Sequence, residues 1–249
     1  MDDKCKFVTK PLGKRLVTFE DFQEAGLVKS VLSHGLRVGF GMASCGMFSD
    51  HFFRLGDIYN SPVGRDELVV FHNLLIAKIK QVMEIERTTR IGLIIQRDGS
   101  AGIEQIGGLL AGYGLSHFKV ILGQRLWAKA LHPQIAREIR EKKTRILLLT
   151  DTVFSGADIY EAALILQRVR FGFSVPDDPG IAAFVVYDYL RGAEMKLHMK
   201  DITLYSLIDW FFFRDLRLLP DRDIAGPIGC PTHRLQFEST ALAVFAVFR

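Results

Sequence analysis

Apolar positions along the chain fall into two rhythms. Over 66–87, Leu68, Phe71, Leu75, Ile79 and Val82 recur at threes and fours while Lys78 and Lys80 take other faces, which predicts one long helix. Pro62 and Asp66 supply its start signals. Beyond it, short unbroken apolar runs alternate with helical spacing. Strands are predicted at 91–95, 118–122, 146–149, 181–186 and 202–205. Helices are predicted at 102–111, from about Pro133 through QIAREIREK, from Ala157 through Ile159, Ala162, Ala163 and Leu166, and at 192–199. Strands separated by helices need crossover connections, so the pattern predicts an α/β fold: a parallel five-stranded sheet flanked by helices. The spacing of SLIDWFFFRDLRL predicts a further helix over 207–219, whose aromatic cluster suits a core or a dimer interface. The closing run ALAVFAVF reads as a strand.

Residues 1–64 depart from this rhythm. One or two short helices fit 19–32, followed by a Gly-rich, aromatic tract, GLRVGFGMASCGMFSDHFFRLGDIYNSP. Val38, Phe40 and Met42 alternate, and Phe52 and Phe53 follow, which predicts short antiparallel strands broken at Gly46 and at Ser49-Asp50. No buried strand leads into a GxGxxG here, so the glycines are not read as a dinucleotide loop.

Composition narrows the function classes. The chain has 249 residues, 49% hydrophobic and 24% charged, with a net charge of +4, which is ordinary globular chemistry with a mild excess of cations. No basic block or basic–aromatic interleaving points to nucleic acid, and no run is long enough to span a membrane. Cys5, Cys45 and Cys230 fit no metal-ligand spacing. The odd count without a secretory signal predicts reduced thiols in a cytoplasmic protein. The seven histidines form no zinc motif.

One stretch carries candidate chemistry: RILLLTDTVFSGADIYEAALIL, from Arg145 to Leu166. An apolar strand ends at Thr150 and Asp151, Ser155 and Gly156 turn the chain, and a helix begins at Ala157. Such a loop aims backbone N–H groups and a helix N-terminus at one spot, which suits a phosphate. An ordinary strand-to-helix turn capped by Asp158 or Ser155 gives the same pattern.

The order of acid, spacers, hydroxyl and glycine resembles the signature loop of the type I phosphoribosyltransferases, and of the orotate phosphoribosyltransferases in particular. In that family two adjacent acids hold the ribose hydroxyls and a Thr/Ser-Gly-Gly-Thr/Ser turn wraps the 5-phosphate. Three further segments, spread over 20–210, carry the resemblance. GMFSDHFFRLGDIYNSP is similar to the family's Ser-Gly-x-x-Ser-x-x-Phe-x-Asp-x-Gly segment. GQRLWAKALHP falls where the family has its mobile cationic loop, and VVYDYLRGAEMKLHMKDITLYSL resembles its Asp-Arg-x-x-Gly segment and final strand.

The resemblance implies a phosphoribosyltransferase-like, Rossmann-like core over 65–219, an N-terminal hood with base-binding residues over 1–64, and a C-terminal extension over 220–249. It implies transfer of a phosphoribosyl group from 5-phosphoribosyl diphosphate to a nucleobase-like small molecule, with Mg²⁺ carried mainly by the diphosphate and no metal site of the protein's own. Asp151, Lys129 and Arg125 are the catalytic candidates. Thr150, Asp151, Val153, Phe154, Ser155, Gly156, Ala157 and Asp158 would bind the phosphoribosyl end. Arg97, Asp98, Gly99 and Ser100 would meet the diphosphate, and Phe52, Phe53 and Tyr189 the base. A homodimer is implied as well, and neither nucleic acid nor membrane is an expected partner.

The match departs at specific positions. Thr150 replaces the first acid, and Asp158 puts a negative charge where the last phosphate-binding hydroxyl belongs. Leu126 replaces a cation of the mobile loop. Ser44 and Tyr189 replace the cations that serve orotate, with Arg54 and Arg191 the nearest substitutes in sequence, so an acceptor other than orotate is expected. The alternative is a catalytically inactive protein of this fold that binds a phosphorylated ribose or nucleotide in a regulatory role.

Overall fold

A computed structural model describes residues 14–15, 26–42, 48–96, 101–124, 129–142, 144–171, 180–189 and 192–209. In chain order the elements are β1 (Lys14–Arg15), α1 (Gly26–Gly35), β2 (Leu36–Met42), β3 (Phe48–Phe53), α2 (Leu55–Tyr59) and α3 (Arg65–Ile85). Then follow β4 (Arg90–Ile95), α4 (Ala101–Gly112), β5 (His117–Ile121), α5 (Pro133–Lys142), β6 (Ile146–Val153), α6 (Ala157–Phe171), β7 (Ile181–Asp188), α7 (Ala193–His198) and β8 (Thr203–Asp209).

The five predicted core strands form one parallel sheet in the order β8-β7-β6-β4-β5, and the two-residue β1 adds to its edge beside β8. This order fixes where a ligand can sit. From β4 the chain steps outward to β5, then returns past β4 to β6 and continues through β7 to β8. Right-handed crossovers taken in opposite directions place their helices on opposite faces. Accordingly α4 packs on one face with α1, α2 and α3, while α5, α6 and α7 pack on the other. Between β4 and β6 the connections diverge, leaving a crevice at the carboxyl ends of those two strands.

Sequence explains the central position of β6. Ile146, Leu147, Leu148 and Leu149 are fully buried, alternating between the two cores. Each such side chain contributes about 1.5–3 kcal/mol when withdrawn from water. A solvated face is therefore not available to this run, and a covered parallel strand is the element that satisfies it. The long helix α3 begins as its sequence predicts: Glu67 Oε2 accepts the N–H of Gly64 at 3.2 Å, half of a capping box, and Phe71, Leu75, Ile79 and Val82 face the core.

Three expectations need correction. The last strand does not stop at 205: β8 runs to Asp209, with Ile208 opposite Tyr187 and Asp209 opposite Asp188, so 207–209 is not helix. The predicted helical spacing is overridden there because Leu207 and Ile208 are buried against the sheet core and their backbone completes the ladder of β7. In the hood, Ser49-Asp50 lies within β3 and does not break it, because the antiparallel ladder with β2 carries through to Phe48 opposite Met42. The two-residue strand β1, finally, was not anticipated in the polar N-terminal stretch; its parallel pairing with Tyr205 and Ser206 comes from the open edge of β8. The remainder of the predicted 207–219 helix and the 220–249 extension lie outside the described residues. Among the described residues no helix is long and apolar enough to cross a membrane.

The amino-terminal edge of the sheet is locked separately. Tyr205 donates to Glu86 Oε1, and Arg145 Nε donates to the carbonyl of Glu86 at 2.9 Å. Burial, with Glu86 alongside, raises the Tyr205 phenol pKa well above its ordinary value. Arg90 pairs with Glu138 of α5. These contacts hold the end of the sheet opposite the crevice.

Candidate active site at the carboxyl ends of β4 and β6

Strand β6 continues two residues past its apolar run before the chain turns. Thr150 is buried, and Asp151 is partly covered at the rim. Asp151 Oδ1 accepts the N–H of Thr152 at 2.8 Å and the hydroxyl of Thr150 at 3.3 Å. Burial nevertheless raises the Asp151 pKa, outweighing those hydrogen bonds, and the negative charge of Asp158 adds to the rise. The residue in the place of the missing acid thus supports the acid that remains.

The turn is built from backbone. The carbonyl of Val153 accepts the N–H of Tyr189 at 3.1 Å, which ties the loop to the end of β7. Gly156 has φ of 76°, and a Cβ there would lie 3.3 Å from Ala193 Cβ and Leu197 Cγ of α7, so both conformation and space call for glycine. Its carbonyl accepts the N–H of Tyr160 at 3.0 Å, opening α6, while Ser155 Oγ accepts the N–H of Ala157 at 3.4 Å. The first amides of a helix lack partners within it and carry its positive end, so the Ala157 end of α6 favours an anion.

Asp158 already supplies one. It sits in the first turn of α6, where its carboxylate accepts a hydrogen bond from the side chain of Gln96 at the end of β4. Partial burial raises its pKa, against the lowering effect of Gln96, and Glu161 raises it further. Glu161 in turn accepts the N–H of Gly123 at 3.1 Å, just beyond β5. Glu161 was not among the site residues expected from sequence, and Gln96 was expected only as the first residue of the diphosphate loop that runs to Gly102. Glu161 follows Asp158 by one helical turn, a spacing visible in sequence; the meeting of Gln96 with Asp158 depends on β4 lying beside β6.

The expected base-binding residues divide. Phe53 and Tyr189 are brought together: the Tyr189 hydroxyl accepts the N–H of Phe53 at 2.7 Å in a buried contact. Their neighbours form an aromatic column, Phe53 on Tyr187 at 5.2 Å, Tyr187 edge-on to Tyr189 at 4.7 Å, and Tyr189 against Phe154 at 4.7 Å. Tyr187 was missed in sequence, although its place two residues before Tyr189 on a strand predicts a shared face. Phe52 is half-buried, and strand alternation directs it away from the face used by Phe53. Burial pushes the Tyr189 phenol up to about 12; Asp151 pushes it the same way, and Arg54 opposes it. Asp151 and Arg54 are therefore both within electrostatic reach of the Tyr189 hydroxyl.

Lys129 is exposed in the turn before α5, and the carbonyl of its neighbour Ala130 accepts the N–H of Ile121 at 2.9 Å, returning this segment to the end of β5. Arg125, Leu126, Arg97, Asp98, Gly99, Ser100, Ser44 and Arg191 lie outside the described residues. Among the described residues no group of three or more His, Cys, Asp or Glu side chains could hold a metal ion. A separate polar hollow of about 370 Å³, lined by Ser33, His34, Leu36, Arg37, Asp57, Asn60 and Ser61, shares no residue with the loop.

The sequence matches no protein-family model and no curated protein. Solved structures do resemble it. The orotate phosphoribosyltransferase of Aeropyrum pernix is 16% identical, with a TM-score of 0.53 over 76% of this chain and 99% of that one. The UMP synthase of Leishmania donovani is 15% identical, with a TM-score of 0.58 over 82% of this chain and 41% of that longer one. The fold is that of the type I phosphoribosyltransferases.

Within a type I phosphoribosyltransferase fold, the crevice at the ends of β4 and β6 is the site that the strand order marks for a ligand. Asp151 and the Gly156 turn stand at the carboxyl end of β6. The departures stand there as well: Asp158 at the helix N-terminus, Thr150 beneath Asp151, and Tyr189 hydrogen-bonded to the hood.

Proposed function

We propose that this protein is a phosphoribosyltransferase-type enzyme, which transfers a phosphoribosyl group from 5-phosphoribosyl diphosphate to a nucleobase-like acceptor other than orotate. The observation that supports the reading best is the sequence of Asp151 at the strand end and Gly156, at φ of 76°, opening α6 at the crevice. In this reading Asp151 holds the ribose hydroxyls, and the amides from Val153 to Ala157, with the Ser155 hydroxyl, hold the 5-phosphate. Lys129 and Arg125 neutralise the departing diphosphate and exclude water. Positive charge builds on the ribose ring as the bond to the diphosphate breaks, and Asp151 faces that charge.

The donor set fits a hard cation only in part. Asp151 offers carboxylate oxygen, which suits Mg²⁺, but among the described residues no group of three or more His, Cys, Asp or Glu side chains surrounds it, so the ion would arrive with the diphosphate. When bound, Mg²⁺ would neutralise charge on the leaving group.

A second reading is favoured by Asp158 and by the engaged hydroxyl of Tyr189: a catalytically inactive protein of this fold that binds a phosphorylated ribose or nucleotide as a regulator. Calorimetric titration with 5-phosphoribosyl diphosphate, with and without Mg²⁺, distinguishes the two when run beside Asp151→Ala. Metal-dependent micromolar binding that Asp151→Ala abolishes, followed by diphosphate release with a nucleobase, supports the enzyme. Binding without release under any nucleobase supports the regulator, and absence of binding rules out both.

A further inference from the structure

We propose that Asp158 is a specificity-determining residue of this site: anchored by Gln96, its carboxylate stands at the N-terminus of α6 as a built-in anion and weakens the hold of the loop on a ligand's phosphate. The inference rests on the reading that the Phe154–Asp158 loop receives the phosphate end of a ribosyl ligand.

Three observations converge on Asp158. Its position in the first turn of a fifteen-residue helix places its charge where the helix favours one. Its carboxylate accepts a hydrogen bond from the Gln96 side chain at the end of β4, so a strand end and a helix define where it stands. Its charge also reaches Asp151, the residue assigned to the ribose. Glu161 on the same helix adds another negative charge nearby. A phosphate entering here meets the favourable amides of the turn and an opposing carboxylate together. Like charges brought together at a binding surface cost several kcal/mol. Ser155 Oγ accepts the N–H of Ala157 and its hydroxyl can still donate to a phosphate, but one neutral donor does not offset a full negative charge.

Asp158 is exposed, so an entering phosphate can reach it. Its hydrogen bond to Gln96 gives the carboxylate a fixed direction.

The test measures affinity for ribose 5-phosphate and for inorganic phosphate in the full chain, by calorimetry at one pH and ionic strength. Asp158→Asn keeps the size and the acceptor for Gln96 while removing the charge; Asp158→Ser is the second variant, should the first not fold, and circular dichroism checks both. Tightening of ribose 5-phosphate by about tenfold or more in either folded variant, with inorganic phosphate moving the same way, supports the proposal. Equal affinity in wild type and variants overturns it while leaving the phosphoribosyl reading intact. No binding of either probe by wild type or variants overturns that reading, and this inference with it.

Discussion

The hydroxyl of Tyr189 accepts the backbone N–H of Phe53 at 2.7 Å, joining two residues 136 positions apart in sequence. Through this bond the β2–β3 hairpin is fastened to the end of β7, beside the loop that carries Asp151. Tyr189 also packs its ring on Phe154, so one side chain touches the hood and the loop at once. Tyr189→Phe leaves the rings in place and strands a buried amide. The expected cost is about 1–3 kcal/mol of stability, read by urea unfolding, together with faster hydrogen exchange at the Phe53 amide. Unchanged exchange at that amide would show that the bond does not hold the hairpin.

Gly156 offers a sharper test of the loop itself. Alanine there must adopt φ near 76° and place its Cβ 3.3 Å from both Ala193 and Leu197. Left-handed backbone alone costs an L-residue about 1–2 kcal/mol. Gly156→Ala should therefore lower the urea midpoint by at least that equivalent and weaken any ligand held by the loop amides. A wild-type midpoint would mean that the turn relaxes without strain.

Two glycines of α4 should respond in opposite directions. A Cβ on Gly102 would lie 2.8 Å from the backbone nitrogen of Gly56 and from Leu55 Cβ, so Gly102→Ala forces α2 and α4 apart at an expected cost of about 1–3 kcal/mol. Gly108 has nothing within 4 Å of its Cβ position, and Gly108→Ala should stabilise the helix by roughly 0.5–1 kcal/mol. Thermal melts of the two variants should fall on either side of the wild type.

Asp151 predicts a pH dependence of stability. Burial raises its folded pKa above the ordinary 3.8, so the folded chain holds this proton more tightly than the unfolded chain does. Its favourable contribution is complete below the unfolded value and is lost as pH rises through the folded pKa. Asp158, shifted in the same direction, adds to the trend. Asp151→Asn keeps an oxygen for the Thr152 amide and removes the charge. It should be more stable than the wild type at neutral pH, with the difference vanishing below about pH 4. Denaturant titrations at several pH values would check this, and a difference that grew toward acid would refute the assignment.

Much of this molecule was legible in its chain. The apolar run over 146–149 suits a covered strand and the spacing of Phe71, Leu75, Ile79 and Val82 suits one helix face, and both form. The strand-to-helix turn at Gly156 was legible as well, from the change of rhythm on either side of it, whereas its use for a phosphate rested on the family resemblance. The stretch over 207–209 was misread for the complementary reason. Its local spacing is helical, but the open edge of β7 supplies a full ladder of hydrogen bonds, and a buried backbone takes the partner that completes it.

Sequence by itself determined which residues must be buried, which elements they form and where the acid and the glycine fall along β6 and α6, since these follow from short-range geometry and hydrophobicity. Only the tertiary structure decided that β4 lies beside β6, that Gln96 therefore reaches Asp158, and that Tyr189 spends its hydroxyl on the backbone of Phe53. Those contacts join residues far apart in the chain, and nothing in local periodicity specifies them. Strand order and the twist of crossover connections do.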